Sequence, residues 1–374
     1  MNRHAPTAVR PVVTGVGVLS AAGEGTTALA EAVVHGKAAF GPVTRFDVSA
    51  RRTTRAALLP EPRPLADAVL AAVGQACRRA GLDPAADPDG GPPVLLALHS
   101  DRHTRATLAE VSAGTTARWG GPGVLRAYTG ACVAAGTAVA DAAQLVATGR
   151  RPRVLVAAGH LVEPGVFAAF DAGRALARDG ELRPFSTGRS GTLLGDAAVA
   201  VLVEAETEAE RRGAPVLARL AGWGRAGDAH HVCRPEPDGD GVARAIVAAL
   251  GRAGIAPEDV DYVNANGTGS TLSDHAEALA LRRVFGGHTD RLPVSSSKAV
   301  HGHALEASAL LELVVTIGAL TDGLLPVNAG WLGPDPEIGL DLVLDGPRTA
   351  RPRYALTLNS AFGGANTALL VAAR

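Results

Sequence analysis

Six short runs of this chain read as β-like, several of them apolar throughout: "PVVTGVGVL" (11–19), "PPVLLALHS" (92–100), "PRVLVAAGH" (152–160), "DAAVAVLVEA" (196–205), "DYVNANG" (261–267) and "RYALTLNS" (353–360). A strand with one wet face alternates apolar and polar residues. Several of these runs do not alternate, so both faces of their sheet must be covered. The stretches between them are rich in Ala, Leu, Glu and Arg with helical period, which predicts an α/β fold with helices packed on the sheets. A weak internal repeat adds to this. "VLVAAGH…LLGDAAVAVLVEA" near 154–205 echoes "YALTLNSAFGGANTALLVAA" near 354–373, each a strand, a Gly-containing turn and another apolar strand. The expected organisation is two similar halves, 1–208 and 209–374, packed as one unit and joined near "ETEAERRGAP" (206–215), where nothing reads as a flexible linker.

Bulk properties exclude several function classes. The chain has 374 residues with 36 basic and 37 acidic side chains, a net charge of −1 and 3% aromatics. That balance carries no electrostatic footprint for nucleic acid or an anionic membrane, and offers few rings for base stacking. Three scattered cysteines, Cys77, Cys132 and Cys233, make neither a disulfide framework nor a thiolate zinc site, so no metal is expected and a reducing cytoplasm fits. "MNRHAPTAVRPVV" lacks the apolar core of a signal peptide. "ALLELVVTIGAL" (309–320) is broken by Glu312 and too short for a bilayer span, so a soluble protein is expected.

One cysteine stands out by position. "CVAAGTAVADAAQLVATG" (132–149) reads as a helix ended by Gly149, with Cys132 in its first turn, where free N–H groups and the positive dipole end favour a thiolate. Two readings stay open from this segment alone: a nucleophile, or a small residue packed among Ala and Gly. As a nucleophile, Cys132 is expected to alkylate faster than Cys77 and Cys233. Two later loops offer partners: "VNANGTGSTLSDHAEA" (263–278) holds Asn266, and "SSSKAVHGHALEASALLE" (295–312) holds Lys298, His301 and His303. His301 reads either as a surface residue or as a replacement base. His230 and His231 are adjacent, point apart and have no ligand spacing around them, so a loop or core role is expected. "TGVGVLSAAG" (14–23) has Ser20 where a dinucleotide-binding turn needs its third Gly, and reads as a tight turn.

With these loops in place, the sequence resembles the β-ketoacyl-acyl-carrier-protein synthases, the ketosynthases of the thiolase superfamily. "VVTGVGVLSAAGEG" with "GPVTRFD" is similar to their start, "RPFSTGRSGTLLGDAA" to their central loop, "GDAHHVCRPEPDGDG" to the stretch past the middle, and "NSAFGGAN" to their C-terminal loop. The resemblance spans almost the whole chain. It implies a thiolase-like αβαβα fold of two pseudo-repeated halves. It places Cys132 on the acyl-accepting nucleophile, His303 on the second active-site histidine, Lys298 with Glu312 on the lysine–glutamate pair behind it, and Phe362 on the gating phenylalanine. It implies no bound cofactor, the acyl chain arriving on the phosphopantetheine arm of an acyl carrier protein, and a homodimer or a heterodimer with a ketosynthase paralogue.

The departures from the family pattern define the expected chemistry. "NGTG" puts Asn266 where the family has its first histidine, and an amide donates a hydrogen bond but exchanges no proton at neutral pH. Ala135 and Gly136 follow the cysteine in place of the usual residues, Thr192 and Ser360 stand at usual phenylalanines, and the stretch before Cys132 is shortened, so an altered acyl pocket and partner face are expected. The leading expectation is an atypical condensing enzyme of fatty acid or polyketide biosynthesis. It would load an acyl group on Cys132 and condense it with malonyl-carrier protein, His303 and Asn266 stabilising the enolate. The alternatives are a chain-length-factor-like subunit that pairs with a true ketosynthase, and an acyltransferase that does not decarboxylate.

Overall fold

The computed structural model describes residues 9–82 and 90–374. The stretch read above for a signal peptide lies, up to residue 8, outside the described residues. Ten strands build the main sheet: β1 (Pro11–Ser20), β2 (Val94–Ala97), β3 (Val124–Tyr128), β4 (Arg153–His160), β5 (Ala197–Ala205), β6 (Ala218–Gly227), β7 (Tyr262–Asn264), β8 (Pro293–Ser295), β9 (Tyr354–Ala361) and β10 (Ala365–Ala372). Their order is β3-β2-β4-β5-β1-β6-β10-β9-β7-β8, with short extra strands at β1 and beyond β8. Cut between β1 and β6, this order repeats itself. In the first half β2 is parallel to β3 and β4, while β5 runs antiparallel to β4 and β1. In the second half β7 is parallel to β8 and β9, while β10 runs antiparallel to β9 and β6. The halves are stitched edge to edge by two residue pairs, Val12 with Arg219 and Val13 with Ala218.

Helices complete five layers. α1 (Leu65–Arg79) and α2 (Thr104–Trp119) cover one outer face, and α4 (Asp240–Ala253) and α5 (Thr271–Phe285) the other. Between the two sheet halves lie α3 (Ala134–Ala147) and α6 (Ser308–Asp322), packed on each other and touching strands of both halves. A helix buried between layers must be apolar where it is covered, and α6 is so on nearly every side, α3 on all but the face that holds Asp141 and Gln144. α6 buries twelve of its fifteen residues and α3 is mostly Ala and Val. The architecture is the thiolase-like αβαβα fold.

The glycines of "TGVGVL" do not make a tight turn. They lie within β1, and a Cβ at Gly15 or Gly17 would collide with the carbonyl oxygens of Ala76 or Ala72 on α1. Gly222 and Gly224 of β6 hold the equivalent places against Ala249 and Ala245 of α4. Each outer helix therefore lies directly on its strand's backbone, a use of strand glycine that a single-sequence pattern does not separate from a turn. Among the described residues no helix is long and apolar enough to cross a membrane.

Candidate active site

Both central helices begin in the same way. The single 3₁₀ turn Ala131–Val133 leads into α3, and Leu305–Ala307 leads into α6. Each turn opens on a non-glycine residue with positive φ, Ala131 at 52° and Leu305 at 41°. That conformation costs about 1–2 kcal/mol and presents the next side chain, Cys132 or Glu306. Cys132 thus precedes its helix rather than occupying the first turn. It is 5% exposed, with Val162, Phe167, Leu176, Leu194 and Leu305 in the apolar cluster around it. Burial, reinforced by the Glu306 carboxylate and opposed by the Lys298 ammonium, pushes its thiol up to about 12. The expected resting thiolate is therefore corrected to a thiol, because desolvation outweighs what the helix start offers.

Its partner is His303, whose Nε2 lies 3.1 Å from Cys132 Sγ. His303 Nδ1 lies 3.0 Å from Ser308 Oγ, and its backbone is clamped by the 185–196 loop: its N–H donates to Leu193 O and its carbonyl accepts from Gly195 N–H. Burial, with the charges of Lys298 and His160, holds this imidazole well below its ordinary pKa. A neutral imidazole with its proton on Nδ1, toward Ser308, leaves Nε2 to accept the thiol proton.

Lys298 is the hub behind them. Its Nζ lies 2.6 Å from Glu312 Oε1, with both side chains fully buried, and donates to Asn266 Oδ1 at 3.2 Å. An ammonium only donates, so this contact fixes the amide of Asn266 with its oxygen toward Lys298 and its Nδ2 turned away. Asn359 Nδ2 donates to Glu312 Oε2 at 2.7 Å. Burial raises Glu312 above the ordinary carboxylate range, against the pull of Lys298 and Asn359. Beneath Asn266, Glu277 of α5 accepts the backbone N–H groups of Asn266 and Gly267 at 2.7 and 2.8 Å, and Asp274 accepts those of Phe185 and Gly269. The 266–269 loop is thereby tied to the start of α5.

The remaining candidates are dispersed. His301 is neither at the surface nor in the reactive cluster. It is fully buried, with Nε2 2.9 Å from Ser297 Oγ and Nδ1 2.7 Å from Gly302 O, because the short helix Lys298–His301 turns it away from His303. Thr192 is buried in the central loop, where its backbone bonds Ala175 and Ala177. Ser360 is near the end of β9. Phe362, 50% exposed, stands 5.6 Å from Phe170, centroid to centroid. His230, His231 and Cys233 share an exposed loop. Among the described residues no group of three or more His, Cys, Asp or Glu side chains could hold a metal ion. Sequence reasoning missed Ser308, Asn359, Glu277 and Asp274. It also missed a second polar cluster, in which buried His160 and Glu306 meet the partly exposed His99. The signal for this cluster was a histidine closing each of two apolar runs, "LALH" and "VAAGH".

Comparison with known proteins decides the family. Residues 96–209 match the family model "Beta-ketoacyl synthase, N-terminal domain", and residues 217–331 match "Beta-ketoacyl synthase, C-terminal domain". The putative polyketide beta-ketoacyl synthase 1 of Streptomyces cyaneus is 30% identical over 414 residues, covering 97% of each chain. The chain belongs to the β-ketoacyl synthase family. This β-ketoacyl synthase family member is also 39% identical over 244 residues to nodulation protein E of Rhizobium meliloti, a match covering 64% of this chain and 60% of that relative's length. Among solved structures, the ishigamide ketosynthase/chain length factor superposes with a TM-score of 0.87 at 27% identity, covering 98% of this chain and 100% of the other.

Proposed function

We propose that this family member is a decarboxylating condensing enzyme whose active site is Cys132, Asn266 and His303. The observation that carries this reading is the 3.1 Å contact between Cys132 Sγ and a neutral His303 Nε2. As the acyl group arrives on a phosphopantetheine thioester, Sγ attacks the carbonyl. The thiol proton passes through Nε2 to the departing pantetheine thiol. A malonyl thioester then loses carbon dioxide. The Nδ2 of Asn266 donates to the enolate oxygen, and the enolate carbon attacks acyl-Cys132 and expels its sulfur. Lys298, Glu312 and Asn359 hold Asn266 in place. No bound cofactor enters this scheme, and the partners it calls for are an acyl carrier protein and a second ketosynthase-fold subunit. Among the described residues no strand pairs with the outer edge of β3, and Leu125 there is 49% exposed, which supports such subunit pairing. Cytoplasmic residence is part of the same reading.

The test follows both half-reactions. Parent protein with acyl-carrier protein is expected to gain the acyl mass on Cys132, and with malonyl-carrier protein to release carbon dioxide and form a β-ketoacyl product. A Cys132→Ala variant should form no adduct. Adduct formation without carbon dioxide release would favour the plain acyltransferase instead, and no adduct at all would favour the chain-length-factor-like subunit.

A further inference from the structure

β1 and β6 share only two residue pairs, and from Gly15 to Val18 β1 pairs with β5 alone among the described strands. Beside that stretch lies a cavity of about 480 Å³, lined by Thr14 and Val16 of β1 and by Leu217 just before β6. The helix Thr26–Val34 lends it Ala30 and Val33, and the second half of α6 lends it Val314, Ile317 and Gly318. Its volume and walls match those of small-molecule sites, which span roughly 300–1,000 Å³ and are mostly apolar with a few polar groups. It is not the reactive pocket: no residue lining it belongs to the apolar cluster around Cys132.

Gly318 stands inside α6, where glycine is destabilising relative to alanine. At Gly136 of α3 the same cost makes room for Thr367. A Cβ at Gly318 would meet nothing within 4 Å, so no packing inside the protein accounts for this glycine, and the room it leaves belongs to the cavity. Among the described residues two charged side chains line that cavity, Arg79 at the end of α1 and Asp322 at the end of α6. Arg79 is exposed, donates to Thr26 Oγ1 and has no carboxylate partner among those residues. The hydroxyl of Thr14 is already engaged, donating to Glu204. A guanidinium with donors to spare beside apolar walls fits an aliphatic tail with an anionic head. Asp322, which accepts from Thr321 Oγ1, disfavours a second negative charge on the ligand.

We propose that this cavity is a second ligand site, which takes an unbranched aliphatic monocarboxylate with its carboxylate on Arg79 and its tail between the helix Thr26–Val34 and α6. The nine residues of that helix measure about 13 Å, which sets the length of tail it can cover. The occupant lies on the same helix, α6, that carries Ser308 and Glu312, the partners of His303 and Lys298. Binding there does not depend on the condensing reading.

The experiment is a calorimetric titration of the full chain with decanoate, kept below the concentration at which it forms micelles, with decanol as the uncharged probe. The variants Gly318→Leu and Arg79→Gln are first shown to be folded by their melting curves. The parent is expected to bind one decanoate per chain. Gly318→Leu, which fills the open space, should weaken decanoate and decanol alike by about tenfold or more. Arg79→Gln should weaken decanoate by about tenfold and leave decanol within about twofold. No saturable decanoate binding by the parent overturns the proposal. Parental affinity in Gly318→Leu overturns it too, since binding that survives there lies elsewhere on the molecule. If Gly318→Leu does not fold, a parental preference for decanoate over decanol in Arg79→Gln overturns it equally. Carbon dioxide release, which tests the condensing reading, enters none of these outcomes, so either can fail alone.

Discussion

Burial pushes the Cys132 thiol up to about 12, so in the proposed reaction His303 would activate it at the moment of attack, in place of a stored thiolate. The three free cysteines therefore divide by access: Cys77 and Cys132 are buried and Cys233 is exposed. Iodoacetamide at neutral pH is expected to label Cys233 first, the reverse of the order drawn from the helix-start reading. Peptide mass mapping over time checks this, and Cys132 labelling ahead of Cys233 would reinstate the thiolate. At Asn266, an imidazole can still accept from Lys298. Asn266→His is thus expected to keep the fold and raise malonyl decarboxylation, measured as carbon dioxide release, by about 10²-fold or more. Condensation abolished in that variant would show the amide to be an adapted donor. Cys132, Asn266, Lys298 and His303 were legible because each sits in a contiguous motif. His99, His160 and Glu306 were not, since they come from three distant segments and meet only where strand ends converge.

The loops between β8 and α6 and after β7 are held by charge. Removing the ammonium of Lys298 strands Glu312 in a fully buried place, so Lys298→Met is expected to lose about 3–5 kcal/mol in a denaturant titration. Lys298→Met with Glu312→Leu should recover most of it. An unchanged single variant would show that the pair contributes nothing. The His99–Glu306 pair makes a pH-dependent claim. Burial alone would raise Glu306, yet its contacts with His160 and His99 together outweigh that and hold it down at about 2. Its contribution is present above its unfolded value of about 4.5 and is lost as pH falls toward 2. The hydrogen bond to Glu306 raises His99 above its ordinary value, so that contribution is complete below about 6.5 and is lost as pH rises past it. The melting-point deficit of Glu306→Gln should therefore be widest between about pH 4.5 and 6.5, and a deficit flat from pH 4 to 9 would refute the pairing. The strands of these elements were readable from their apolar runs. The 3₁₀ turns with positive φ at Ala131 and Leu305 were not, because neither residue type announces that conformation.

At the scale of the molecule, the two halves meet across α3 and α6, and Gly136 marks a close approach there. A Cβ there would lie 2.7 Å from Thr367 Oγ1 on β10 and 3.3 Å from Ala309 Cβ on α6. Gly136→Val is expected to lose about 1–3 kcal/mol by overpacking, read as a shifted denaturation midpoint, and a parental midpoint would mean the interface is looser than drawn. The repeat of strand, turn and strand was visible in the sequence. The stitching of the halves through β1 and β6 was not, for edge pairing leaves no local pattern. That seam has a consequence in time. β1 precedes every other described strand along the chain, every residue of it is buried, and it stands in the middle of the sheet. Thr14 in β1 meets Glu204 in β5 across 190 residues of chain. At about 5–20 residues per second the ribosome needs roughly 10–40 s to deliver that partner, and through that interval a ten-residue apolar segment has no sheet to join, so the nascent chain's yield should depend on whatever shelters it until the seam can close.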